Sequence, residues 1–150
     1  MKKIHIYAGF NRNFGDLLLL DQQVKLLRTQ CKEEILIIPL SSHSGVDGQI
    51  PFIDSNVVSY INSGDMLIIG SGGQLMPDRS RYGYWQFNIP LELIDTIRVP
   101  IVVYGIGSNT FAHNGDGGPL SVAEQEVFKT HLARVCNKAV LCSVRDSIAF

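Results

Sequence analysis

Glycine, asparagine, aspartate and arginine recur where β-rich runs of this chain give way to loops. The first such place carries Asn11, Asn13, Gly15 and Asp16, and the second Gly70, Gly72 and Gly73. The third carries Gly105, Gly107 and Asn109, and the last Arg145 and Asp146. A loop nearly bare of side chains lets a ligand approach the backbone, and backbone N–H groups with an arginine fork suit anions. Each group also has a plain reading, because a glycine after a strand is often only a tight turn and turn asparagines serve the backbone. Asp16 suits either a helix cap or a base. Arg79 and Arg81 stand two apart beside Tyr82, Tyr84 and Trp85. They fit a phosphate with aromatic faces for a sugar ring, or equally a solvated loop. His113 reads as an acid–base group or as a surface histidine, and His5 and His131 as structural.

The elements that must position these residues alternate. Lys3 to Ala8 reads as a first strand. Leu17, Leu20, Val24 and Leu27 follow at helical spacing, with Asp16 placed as N-cap. Glu34 to Ile38 is a second strand, stopped by Pro39. Asp54 or Ser55 caps a short helix bearing Val57, Val58 and Ile61 and ending at Gly64. Met66 to Ile69, four apolar residues in a row, suits a strand buried on both faces. Trp85 to Ile97 is expected to be helical, with Pro90 starting or kinking it. Ile101 to Tyr104 is a fourth strand. Ser121 and Glu124 form a capping-box pair ahead of a helix carrying Phe128, Leu132 and Val135. Ala139 to Cys142 is a fifth strand. This order predicts an α/β fold, a Rossmann-like parallel sheet of about five strands with helices on both faces. In such a sheet all four loops open on one edge, where α/β proteins bind ligands.

The chain has 150 residues, 45% hydrophobic and 18% charged, which fits one domain with a core. Its formal charge of −1 argues against nonspecific nucleic-acid binding. No apolar run approaches the roughly 20 residues of a membrane span. The N-terminus lacks the long apolar core of a signal peptide. Cys31, Cys136 and Cys142 read as reduced core cysteines of a cytoplasmic protein. No metal-ligand spacing is visible, so no metal site is expected. The Gly105-x-Gly107 pair lacks the third glycine of a dinucleotide fingerprint and follows the fourth strand. Gly70-Ser71-Gly72 is too short for a nucleophile elbow.

Taken together, Asn13-Phe14-Gly15-Asp16, then Gly70 to Leu75, Tyr104-Gly105-Ile106-Gly107 and Ser143-Val144-Arg145-Asp146 form an ordered set. The set resembles the polysaccharide pyruvyl transferase family, as does the stretch from Trp85 to Leu93 leading to Val99–Gly107. The resemblance spans roughly residues 4 to 146.

It implies a transferase that moves the enolpyruvyl carbons of phosphoenolpyruvate onto sugar hydroxyls of a surface glycan, with no further cofactor. It also implies a GT-B-like fold of two Rossmann-like halves, of which residues 1–150 would be the N-terminal one. The C-terminal half would bring further basic and histidine residues, so activity is expected of the longer protein rather than of this chain alone. An uncovered face would favour association with that half or with a second copy. The family's Arg-Asp pair falls on Arg145 and Asp146, making Arg145 the candidate for the donor anion; a structural ion pair is the competing role. Asn11 and Asn13 suit sugar hydroxyls, and Asn109 is a further substrate-binding candidate. Two positions depart from the pattern. Ser71 stands where many relatives have glycine, and Ala149 where Arg-Asp-x-x-Ser would have serine. A non-catalytic sugar- or nucleotide-binding module is the alternative.

Overall fold

The computed structural model describes residues 1–8, 14–40, 52–70, 74–75, 77–107 and 119–145, of which 14–16 are described as backbone only. Five strands, β1 (Lys2–Tyr7), β2 (Ile35–Pro39), β3 (Met66–Gly70), β4 (Ile101–Ile106) and β5 (Ala139–Val144), form one sheet in the order β2-β1-β3-β4-β5. Every pairing is parallel. Parallel neighbours require crossovers, which the helices α1 (Phe14–Gln30), α2 (Ser55–Ile61), α3 (Leu91–Ile94) and α4 (Val122–Lys138) supply. The fold is therefore α/β and Rossmann-like, as the alternation of patterns predicts.

Strand alternation sorts the side chains between two cores. Ile4, Ile6 and Ile68 face α1, packing with its Leu20, Val24 and Leu27. Tyr7, Leu67, Ile69, Ile101 and Val103 face the other way, into a larger core with Val58, Ile61, Ile94 and Val135. Burying each aliphatic side chain is worth roughly 1.5–3 kcal/mol, so the second core dominates stability.

Several local expectations are corrected. Helix α1 begins at Phe14, so Asp16 lies inside its first turn and is not its N-cap. Leu17 is 46% exposed, so the buried stripe starts only at Leu20. The helix expected over Trp85–Ile97 shrinks to one turn, Leu91–Ile94, started by Pro90. Trp85, Phe87 and Ile89 are instead fully buried in irregular chain. An irregular segment can turn apolar groups inward at close intervals, which a helix period cannot. Pro39 ends β2 from within the strand, tolerable because β2 is a sheet edge. Cys31 and Cys142 are exposed, not core residues; all three cysteines are free thiols.

The caps hold better. Asp54 accepts from the N–H groups of Asn56 and Val57, both at 2.9 Å. Ser121 and Glu124 complete the reciprocal capping box of α4. No helix among the described residues is long and apolar enough to cross a membrane.

Candidate functional site

The carboxyl ends of β3, β4 and β5 are drawn together by backbone bonds. The Arg145 N–H donates to the Ile106 carbonyl (2.8 Å), and the Leu75 N–H donates to the Gly107 carbonyl (3.1 Å). Gly70 pairs with Tyr104, and a Cβ on it would stand 2.6 Å from the Tyr104 carbonyl oxygen. Glycine is required there by strand spacing. Gly105 has φ of +63°, a left-handed conformation that L side chains resist. It occupies an irregularity in which three steps of β4, Val103 to Ile106, match two of β5, Cys142 to Val144. Such a bulge re-aims the strand end.

Between these ends and α1 lies a cleft of about 480 Å³ lined by Gln22, Gln23, Tyr104, Gly105, Ser143 and Arg145, with Leu19 and Leu26 along one wall. The volume falls in the ordinary range of small-molecule sites, roughly 300–1,000 Å³. Arg145 and Gly105, from two loops far apart in sequence, thus meet in one place.

The remaining candidates fall elsewhere. Gly107 is buried and ties the chain at Leu75 to the end of β4. Gly15 and Asp16 lie in the first turn of α1. Asn11, Asn13, Gly72, Gly73, Asn109 and His113 lie outside the described residues. Arg79 donates to both carboxylate oxygens of Glu124 (2.7 and 3.0 Å) and to the Pro119 carbonyl (3.1 Å). The Arg79 guanidinium, then the Ser121 N–H, hold the Glu124 carboxyl down at about 2. Arg81 faces Asp78 at 2.7 Å. Both arginines therefore brace the chain between β3 and α3, Arg79 by clamping it to the start of α4.

That segment is anchored from below. The Tyr7 hydroxyl donates to the Gln86 carbonyl (2.6 Å) and accepts from the Asn88 N–H (3.0 Å). Burial pushes the Tyr7 phenol far up, so it stays neutral. The Trp85 indole N–H donates to His131 Nδ1 (2.7 Å), which leaves Nε2 to donate to the Ile89 carbonyl (2.7 Å). Two bonds of opposite sense fix the neutral tautomer, and burial lowers the His131 pKa. His131 is structural, as its place within a helical stripe suggests.

The pattern over the whole chain decides its membership. Residues 13–150 match the family model for polysaccharide pyruvyl transferase. The chain belongs to the polysaccharide pyruvyl transferase family. No curated protein and no solved structure matches it. The Arg145 cleft lies at the carboxyl edge of the sheet, the edge at which open α/β sheets bind ligands. Among the described residues no three His, Cys, Asp or Glu side chains are grouped as metal ligands.

Sequence reasoning passed over Gln23. It is 8% exposed and lines the cleft, its amide 3.5–3.6 Å from where a Cβ on Gly70 would stand and 3.7 Å from one on Gly105. The signal was available. Positions 20, 23, 24 and 27 share one helix face, so a glutamine at 23 had to turn toward the sheet with Leu20, Val24 and Leu27.

Proposed function

We propose that this chain is the N-terminal, Rossmann-like half of a GT-B-type, cytoplasmic transferase that moves pyruvyl carbons from phosphoenolpyruvate to a sugar hydroxyl of a glycan. The observation that carries this reading is Arg145 in a cleft at the carboxyl edge of the sheet, its backbone fixed by Ile106. Phosphoenolpyruvate presents a carboxylate and a phosphate, and a guanidinium fork matches either one in two parallel hydrogen bonds.

The chemistry needs three services. The methylene carbon of phosphoenolpyruvate takes a proton as a sugar hydroxyl, losing its own, forms a C–O bond to C2. The bond from C2 to the phosphate oxygen then breaks, phosphate leaving with the electron pair. A second hydroxyl of the same sugar closes the ketal on C2 and loses its proton. Arg145 serves the first two stages by holding the donor and offsetting charge on the departing phosphate. Asp16, in the first turn of α1, is the candidate base for the hydroxyl proton. A facing second half would supply the remaining cationic contacts. The donor and acceptor are the only small molecules required, with no further cofactor.

Calorimetric titration with phosphoenolpyruvate, against inorganic phosphate, tests the reading. Saturable binding is expected, weakened about ten- to a hundredfold in Arg145→Ala, the worth of a charge-assisted hydrogen bond. Unchanged affinity in the variant would remove Arg145 from the donor site. A folded chain that ignores phosphoenolpyruvate but binds a nucleotide or a simple sugar would favour the non-catalytic module instead.

A further inference from the structure

The Gln23 carboxamide is the buried polar group of the cleft that the fold leaves unanswered. Among the described residues its side-chain oxygen has no hydrogen-bond partner, and it has no solvent contact, although the residue sits on a face otherwise given to Leu20, Val24 and Leu27. A buried, unpartnered amide destabilises a fold, and an apolar residue at this helix position would not. Two strand positions close to it are glycines, Gly70 and Gly105, neither of which brings a side chain to bear on the amide. Rotation about the last side-chain torsion, which is broad and two-fold, exchanges oxygen and nitrogen, so the group can accept or donate. A hydroxyl is the ligand group that answers both.

The neighbours narrow the class. Tyr104 lines the same cleft and is 38% exposed, leaving part of an aromatic face open to the C–H side of a sugar ring. Ser143, a hydroxyl-bearing residue, and Arg145, a cationic one, line it as well. An aromatic wall, one amide, one hydroxyl and one guanidinium fit a polyol held next to an anion, rather than an apolar ligand or a bare phosphate.

We propose that Gln23 is a recognition residue for a hydroxyl of the acceptor sugar, with Tyr104 as the platform for the ring. The inference rests on the transferase reading for its choice of acceptor, but its test does not depend on turnover. The side-chain amide pair of Gln23 is identified in a nitrogen–proton correlation spectrum by its loss in Gln23→Met. The wild-type chain is then titrated separately with methyl glycosides of glucose, galactose and mannose, and with phosphoenolpyruvate.

At least one glycoside is expected to shift the Gln23 amide saturably. Gln23→Met should weaken that glycoside about tenfold, as loss of a neutral hydrogen bond does, while leaving phosphoenolpyruvate affinity unchanged. Gln23→Met should also melt higher than wild type, because it removes the unanswered amide; a structural glutamine would lower the melting temperature instead. Tyr104→Ala, at an exposed position, should weaken the same glycoside while the Gln23 amide pair remains identifiable in the free protein. The inference is overturned if no glycoside moves the amide, if Gln23→Met binds the glycoside as wild type does, or if only phosphoenolpyruvate moves it. Glycoside binding without phosphoenolpyruvate binding would sink the transferase reading and leave this one standing. The reverse pattern would do the opposite.

Discussion

The two faces of the sheet are built differently. On one, α2, α3 and α4 close over a continuous core that includes Trp85, Phe87, Ile89, Ile94 and Val135, all fully buried. On the other, α1 covers Ile4, Ile6 and Ile68 but leaves its own Leu17, Leu18 and Leu26 about half exposed, with Leu141 of β5 equally open. The first face is cross-braced by polar bonds from Tyr7, Trp85 and His131. The second carries the cleft, the bulged glycine and the unpartnered glutamine. The larger buried core and the cleft thus lie on opposite sides of one sheet. That division lets a costly polar group persist at the site, because the other face supplies the stabilisation.

The largest break in this contrast should come from Trp85→Ala. It removes the biggest buried side chain and orphans His131 Nδ1, and should cost about 3–5 kcal/mol in urea denaturation. A loss no larger than that of a surface residue would mean that the braced face does not carry the fold.

A smaller effect should appear with pH. His131 is held neutral with a lowered pKa, burial being the cause. The unfolded chain therefore binds more protons, and stability rises with pH. The contribution should be fully present above the ordinary histidine value of about 6.5 and be lost as pH falls from there through the lowered folded value. Melting temperatures measured from pH 7.5 downward should drop through that window in wild type and more shallowly in His131→Phe. Parallel profiles would assign the dependence to other groups.

The smallest effect should be on the open face. Leu18→Ala, at a residue 49% exposed, should change stability by no more than about 0.5 kcal/mol. A loss near that of Trp85→Ala would show that α1 is covered in solution by something beyond the described residues, and would erase the contrast.

Much of this was legible in the residues. Short β-rich runs alternating with helical spacing fix a parallel sheet, because parallel strands need crossovers and helices provide them. Capping chemistry was equally readable, since Asp54, Ser121 and Glu124 act on amides within three residues of themselves. Local patterns report local bonds. The misread segment was Trp85–Pro90, whose partners are Tyr7 and His131, the first some eighty positions away and the second more than forty. No periodicity announces bonds of that range, and the aromatic run looked helical without them.

The site divides along the same line. Residue types and the family resemblance made Gly105 and Arg145 candidates, and the strand order put them on one edge of the sheet. Only the tertiary structure joined them in a cleft, through the bulge at Gly105 and the bond from Arg145 to Ile106. It also turned Arg79 and Arg81 onto Glu124 and Asp78, and it set Gln23 against two glycines from different strands. Chain order determines which strands are neighbours, but which groups a charge meets depends on side chains converging from distant segments. That convergence is settled by packing in three dimensions.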